Sequence, residues 1–507
     1  MIELLRDVAD GVWLVPLLPL LAAMVVGLRV LLGRCAGDAG EVPTARLSEL
    51  AGLGSLLLLL LIDLAVYWHG WPGQRVFATW FAAAHWRGQI SFLLDALSLP
   101  VATLSALIGW LVVRFSAAYL HREAGFNRYF IVLGLFLSGL QALLLAGNGL
   151  LLFLGWEMCG VASFLLIGYA WQRPLATGNA LFAFVSNRVG DAGLLFSLGL
   201  AAYWAGSFEW PALFDAQLSL VDLRVLVLGF AVAALAKSAQ LPFTPWIARA
   251  LEGPTPSSAI FYGALLVHAG VFLMLRLSPL LAQLPDVQVA LVVIGALTAL
   301  YAWLCGLVQS DVKSALIFAT VFQVGLMFVA IGLGWTTLAT WHLCLHAAWR
   351  AWQFLLAPSW LQLTRGRPAP PPRWLVRSQT LYTAALQRFW LDRLGIILLA
   401  APTAAIARDV RALEENFIDR VIGEPGRGRA VAPERPLVQA DGLPGRLLAL
   451  LADFLQRIEN RLLLRGRGGA AERLLREAGR WLVTLEGLLE QPRYLMMAVM
   501  ATFVVIL

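Results

Sequence analysis

Charge is scarce in this sequence. Only 14% of its 507 residues are Asp, Glu, Lys or Arg, against about 25% in soluble domains, which excludes an ordinary water-soluble fold. Cysteine is scarce too: Cys35, Cys159, Cys305 and Cys344 are scattered, mostly within apolar runs. No two have the spacing of a metal site or a disulfide framework, so an iron–sulfur cluster held by this chain is excluded. There is no glycine-rich nucleotide fingerprint, and no lysine follows Lys313. The first apolar run comes after Glu3, Asp7 and Asp10 with only Arg6 among them, which is not the basic start of a cleavable signal peptide.

What the sequence has instead is apolar length. Hydrophobic residues make up 60% of it and the mean hydropathy is +0.76. Apolar runs of about 20 residues recur, the length that crosses a bilayer as a helix. They predict spans near 12–33, 51–69, 93–115, 129–147, 149–170, 180–204, 223–251, 256–276, 287–307, 313–333 and 338–363, with a last one from about 493 to Leu507. The expected fold is therefore all-α, a polytopic bundle of about twelve spans. The runs are continuous rather than alternating, which excludes a β-barrel.

The net charge of +7 reads as loop topology rather than as a nucleic-acid surface. Arg34, Arg46, His121, Arg122, Arg128, Arg173, Lys313, Arg365, Arg367, Arg373 and Arg377 follow alternate spans, while the 205–222 loop has Glu209, Asp215 and Asp222 and no cation. The positive-inside rule then places the N-terminus outside and residues 365–490 in the cytoplasm of an inner-membrane protein. Residues 1–90 are expected to supply the first helices and 91–364 a compact transport domain. A Pro/Arg-rich linker region with a short helical segment near 375–422 spans 365–445, two amphipathic helices lie within 446–490, and 491–507 forms the final span. "RGRPAPPPR" breaks any helix, and Leu447, Leu451, Phe454, Leu455, Ile458 and Leu462 recur at helical spacing. Such helices lie on a membrane or along partner subunits.

The polar residues inside the spans carry the functional reading. A charge at the bilayer centre costs about 2.5 kcal/mol or more, so such residues usually line ion paths. Glu157 stands in "LLLFLGWEMCGVASFLLIGY"; the plain alternative is a carboxylate that only ties two helices together. Lys237 precedes Pro242 and Pro245, which interrupt the helix and leave backbone groups that need a protein or wet surrounding. A direct Glu157–Lys237 pair is expected, whose separation would release a proton. His268, His342, His346, Arg350 and Tyr262 extend this into a polar line. The i, i+4 pair His342/His346 has metal-binding spacing, but no third ligand is nearby. Asp95 and Asp191 lie near predicted span ends and read as partner-paired, and Asp311 and Lys313 as solvated at a helix entrance.

"FLLDALSLP", the Glu157 run, "NRVGDAGLL", "AKSAQLPFTPWIARALEGPTPSSA", "LVQSDVKSALIFATVFQVGLMF" and "WHLCLHAAWRAWQFL" follow one another in order. Together they resemble the antiporter-like membrane subunits of respiratory complex I, nearest the L type, and their Mrp antiporter relatives. The resemblance covers about 90–363. It implies two inverted five-helix repeats, the first over about 129–276 and the second from near 287. It also implies a broken-helix lysine at Lys237, the acidic residue at Glu157, and central-axis residues at His342, His346 and Arg350. Two features depart from the family: Tyr262 stands for its histidine, and His268 for a Thr or Lys. The second repeat reaches "RGRPAPPPR" without a second broken helix.

The implied function is proton translocation in an NADH-quinone oxidoreductase or related redox-driven assembly. This chain would carry no redox centre, and NADH, FMN, Fe–S clusters and quinone would belong to partner subunits. Two other functions fit the shortened repeat: the membrane subunit of a bicarbonate/CO2 uptake system with a soluble zinc protein, and a non-conducting structural subunit.

Overall fold

The computed structural model describes residues 8–35, 37–83, 86–363, 370–413 and 450. Its architecture is a helical bundle, as backbone meeting lipid must satisfy its own hydrogen bonds. The helices are α1 (Leu14–Leu31), α2 (Gly37–His69), α3 (Ser98–Tyr119), α4 (Phe126–Leu145), α5 (Gly149–Ile167), α6 (Pro174–Ala205), α7 (Leu220–Lys237), α8 (Pro245–Arg249), α9 (Thr255–Arg276), α10 (Pro285–Gly306), α11 (Val312–Gly332) and α12 (Thr336–Leu363). Ten stretches among the described residues are long and apolar enough to cross a membrane, including Arg388–Arg411, which lies in the helical segment expected near 375–422 and has the length and apolarity of a further span. Helix α4 is the centre, with every residue buried except Asn127 and Arg128.

The chain divides into two units, Met1–Gly395 and Ile396–Leu507. The second is described only through helical residues up to Leu413 and at position 450. The expected amphipathic helices of 446–490 and the final span of 491–507 lie outside the described residues, apart from helical Leu450.

One element was not anticipated. Strands β1 (Gly73–Ala83) and β2 (Trp86–Leu94) form an antiparallel hairpin, pairing Gly73 with Leu94 at one end and Ala83 with Trp86 at the other, with register shifts between Val76 and Ala78 and between Thr79 and Phe81. The segment is rich in aromatic and β-branched residues, which suit a pleated surface, and it lies between spans. The hairpin shortens the span expected at 93–115, because Asp95 turns the chain into α3. Its Oδ1 accepts from the amides of Leu97 and Ser98, and its own amide donates to Ser98 Oγ.

The hairpin is fixed to the bundle through Glu209, in the loop after α6. Its carboxylate accepts from Gln74, from Ser91 Oγ at 2.6 Å and from Asn148 Nδ2 at 2.9 Å, while Asn148 also caps α5. Burial pushes the Glu209 carboxyl above the usual carboxylate range, and the three hydrogen bonds oppose that shift. A raised folded-state pKa means that the fold favours the protonated acid, so this residue's contribution falls as pH rises from the unfolded value upward. The melting temperature of the wild-type complex, relative to Glu209→Gln, is therefore expected to fall as pH rises from about 4 to about 7. A difference that stays level across that window would refute the assignment.

The break expected near Lys237 is present. Helix α7 stops at Lys237, and the chain turns through residues 238–244 before α8 starts at Pro245. Side chains satisfy the interrupted backbone. Trp246 Nε1 donates to the Ala236 carbonyl, Ser238 Oγ donates to the Val267 carbonyl, and the Leu241 amide donates to Thr298 Oγ1. Helix α9 is irregular at the same level, with π turns over Ala259–Ala264 and a 3-10 turn at Leu266–His268. The two interrupted helices touch at Gly270, where any Cβ would collide with the Ala234 carbonyl oxygen and Ser238 Oγ.

Candidate functional site

Two groups of polar side chains lie inside the bundle. The first joins α5, α6 and the end of α7. Glu157 Oε2 receives Arg188 Nη1 at 2.6 Å, and Arg188 Nη2 stands 2.7 Å from Asp191 Oδ2. Arg188 and Asp191 are three residues apart on α6, hence on one face. Lys237 Nζ is 3.8 Å from Asp191 Oδ1 and 4.9 Å from the centre of the Trp156 ring, whose Nε1 donates to the same Oδ1. A side chain at position 160 would intrude: a Cβ there would lie 3.1 Å from Arg188 Nη2 and 3.5 Å from Lys237 Nζ, and the residue is glycine.

The group holds two carboxylates and two cations. Lys237 is only 1% exposed, yet Nζ makes no hydrogen bond. Its attraction to Asp191 is on the order of 4 kcal/mol at an effective dielectric near 20. An ammonium normally uses three donors, so this one is held by charge and by the Trp156 ring alone.

The direct Glu157–Lys237 pair expected from the sequence is not formed. Arg188 takes Glu157, and Asp191 faces the lysine. Asp191 is also not near a span end, since α6 extends from Pro174 to Ala205 and places it mid-helix. Arg188 was missed altogether, although a cation inside the predicted 180–204 span was the signal for it. Asp95 is partner-paired as expected, with Arg276 of α9, and Asp311 caps α11 by accepting from the Ser314 amide.

The second group joins α9 and α12. His268 Nε2 is 3.0 Å from His346 Nδ1, Arg350 Nε donates to His346 Nε2 at 3.1 Å, and Arg350 Nη1 donates to Gln353 at 2.7 Å. Arginine cannot accept, so His346 Nε2 is the acceptor and Nδ1 carries the hydrogen, which it donates to His268. The row thus has one direction, Arg350 to His346 to His268. His342 lies one turn from His346 and pairs with Gln323 on α11 at 2.8 Å. The two histidines therefore have different partners. The Tyr262 side chain lies outside the described residues. The groups approach each other where Ser238, next to Lys237, bonds the carbonyl of Val267, next to His268.

The family model described as "NADH:quinone oxidoreductase/Mrp antiporter, TM" matches residues 146–367, and that described as "NADH-Ubiquinone oxidoreductase (complex I), chain 5 N-terminus" matches 80–130. The chain is 36% identical over 366 residues to the chloroplastic NAD(P)H-quinone oxidoreductase subunit 5 of Nephroselmis olivacea, covering 69% of this chain and 55% of that one. It is 34% identical over 356 residues to chain 5 of the Picosynechococcus NAD(P)H-quinone oxidoreductase, covering 68% and 53%. The chain thus spans about half the length of the curated relatives it matches. Among solved structures, a chain of the Mrp complex from a Dietzia species superposes with a TM-score of 0.60 at 19% identity, covering 94% of this chain and 59% of that chain. At that identity the likeness is one of fold.

Proposed function

The chain belongs to the family of antiporter-like membrane subunits shared by NADH:quinone oxidoreductases and Mrp complexes, and on that premise we propose that it passes protons across the membrane as one subunit of a redox-driven assembly. The reading rests on one observation: Lys237 is buried at the break of a membrane helix, faces a carboxylate, and makes no hydrogen bond. Arg188 is shared between Glu157 and Asp191. When it moves toward Glu157, Asp191 is left to hold the lysine's proton. When it moves toward Asp191, that hold weakens and the proton passes by the Ser238 hydroxyl to His268, the accepting end of the row from Arg350. The orientation is that of the positive-inside rule, with the hairpin outside. In this reading NADH, flavin, iron–sulfur clusters and quinone belong to partner subunits, and this chain supplies only the path.

Glu157→Gln removes one of the two positions between which Arg188 moves. In the intact complex reconstituted in liposomes, it is expected to lower proton uptake by about tenfold or more while leaving assembly intact. Unchanged uptake would remove Glu157 from the path.

A further inference from the structure

A small cavity lies beside His268. Its volume open to the centre of a water molecule is about 10 Å³, which is room for about one water. Val101 and Leu104 of α3, Leu140 and Leu144 of α4, Phe272 of α9 and Leu343 of α12 line it, and the imidazole of His268 is its polar wall. A buried water normally needs two to four polar partners, so at rest this space is dry. Two polar features stand on the helices that line it, neither of them part of its wall. Gln141, 2% exposed and on α4 between the cavity's Leu140 and Leu144, donates to Ser105 Oγ at 2.9 Å, yet its Oε1 accepts no hydrogen bond. The Arg276–Asp95 pair sits at the hairpin end of the same helices. Arg276, 6% exposed, is one turn beyond Phe272, and Asp95 opens α3 ahead of Val101, with its side chain 33% exposed.

We propose that protons leave this chain through the cavity beside His268, an apolar gate that conducts only when it fills with water, with Asp95 and Arg276 as its outlet. The inference rests on the proton-path reading above and adds the exit to it. From His268 to Arg276 is eight residues, or about 12 Å at the helical rise, a length that about four hydrogen-bonded waters bridge; the resting cavity holds about one and ends at Phe272, so the gate conducts only when the packing between Phe272 and Arg276 parts to admit the others. Charge arriving on His268 supplies the missing attraction for water, and loss of that charge empties the gate. No second broken-helix lysine is needed, and the sequence has no lysine beyond Lys313 to provide one.

The test uses the intact complex, purified and reconstituted, with passive proton entry driven by a potassium diffusion potential and read by an internal pH dye. Leu104→Asn gives the cavity a second polar wall and is expected to raise passive flux by about tenfold. Adding Leu343→Trp, which fills the space, is expected to return it to the wild-type level. A folded Leu104→Asn complex with wild-type flux, or a leak that Leu343→Trp does not reverse, overturns the exit. Leu140→Ser carries the same test if Leu104→Asn does not assemble. Adding Lys237→Met separates the two readings. A leak that the cavity variants control but Lys237→Met does not lower keeps the exit and rejects the buried acid–base row. A flux that Lys237→Met stops but the cavity variants leave alone keeps the row and rejects the exit.

Discussion

Lys237→Met and Lys237→Arg will both lower proton translocation by the intact complex by about a hundredfold or more, the usual worth of one positioned proton donor. The arginine variant is the sharper of the two. It keeps the positive charge opposite Asp191 and the ring contact with Trp156, so a purely structural ion pair would survive it. Arginine is not deprotonated in proteins, however, so a step that requires release of the proton from this position fails. Lysine is rare in this chain, present only at 237 and 313, so little else near the break can substitute. Proton uptake in reconstituted vesicles, compared with the amount of assembled complex, checks both variants. Near-normal uptake by Lys237→Arg would reduce Lys237 to a fixed countercharge.

Arg188→Met has the largest expected effect on stability. It leaves Glu157 and Asp191 facing the single charge of Lys237, so one negative charge is stranded inside the bundle. Breaking a fully buried pair by removing one partner costs about 3–5 kcal/mol; the Arg188 side chain is 34% exposed while Asp191 is 6%, so a loss at or below the lower end of that range is expected, read as a fall in the melting temperature of the solubilised complex. The cost comes from the stranded carboxylate rather than from lost arginine packing, so Arg188→Met combined with Glu157→Gln should recover most of the loss. If the double variant melts no higher than the single one, charge balance is not what holds this site together.

The sequence made some of this legible and hid the rest for physical reasons. Continuous apolar runs announce membrane helices because the bilayer sets their length, and prolines announce the break after Lys237 because they cannot donate. Glu157, Lys237 and His346 stood out as polar groups where hydrocarbon was expected. Their pairing did not, because it depends on which faces of three different helices meet. Arg188 shares a face with Asp191 only once the register of α6 is known, and His268 meets His346 through turns whose π and 3-10 geometry no regular period reveals. The hairpin was lost because a strand pair between two apolar spans has too short a pattern to compete with them. The Gly160 vacancy and the cavity beside His268 are properties of packing and have no local signature.

Helix α4 has a mechanical consequence. Wrapped by α1, α3 and α5 and buried along almost its whole length, it has no free face along which to slide, since protein interiors pack like molecular crystals. It serves as a fixed post. Any motion falls to the interrupted stretches, residues 238–244 and the irregular turns of α9, where isolated turns and side-chain hydrogen bonds replace the continuous helical ladder. On the proposed proton-path reading, the cycle is a small flexing of two joints against a rigid column, and the membrane around α4's neighbours need not be displaced for a proton to pass.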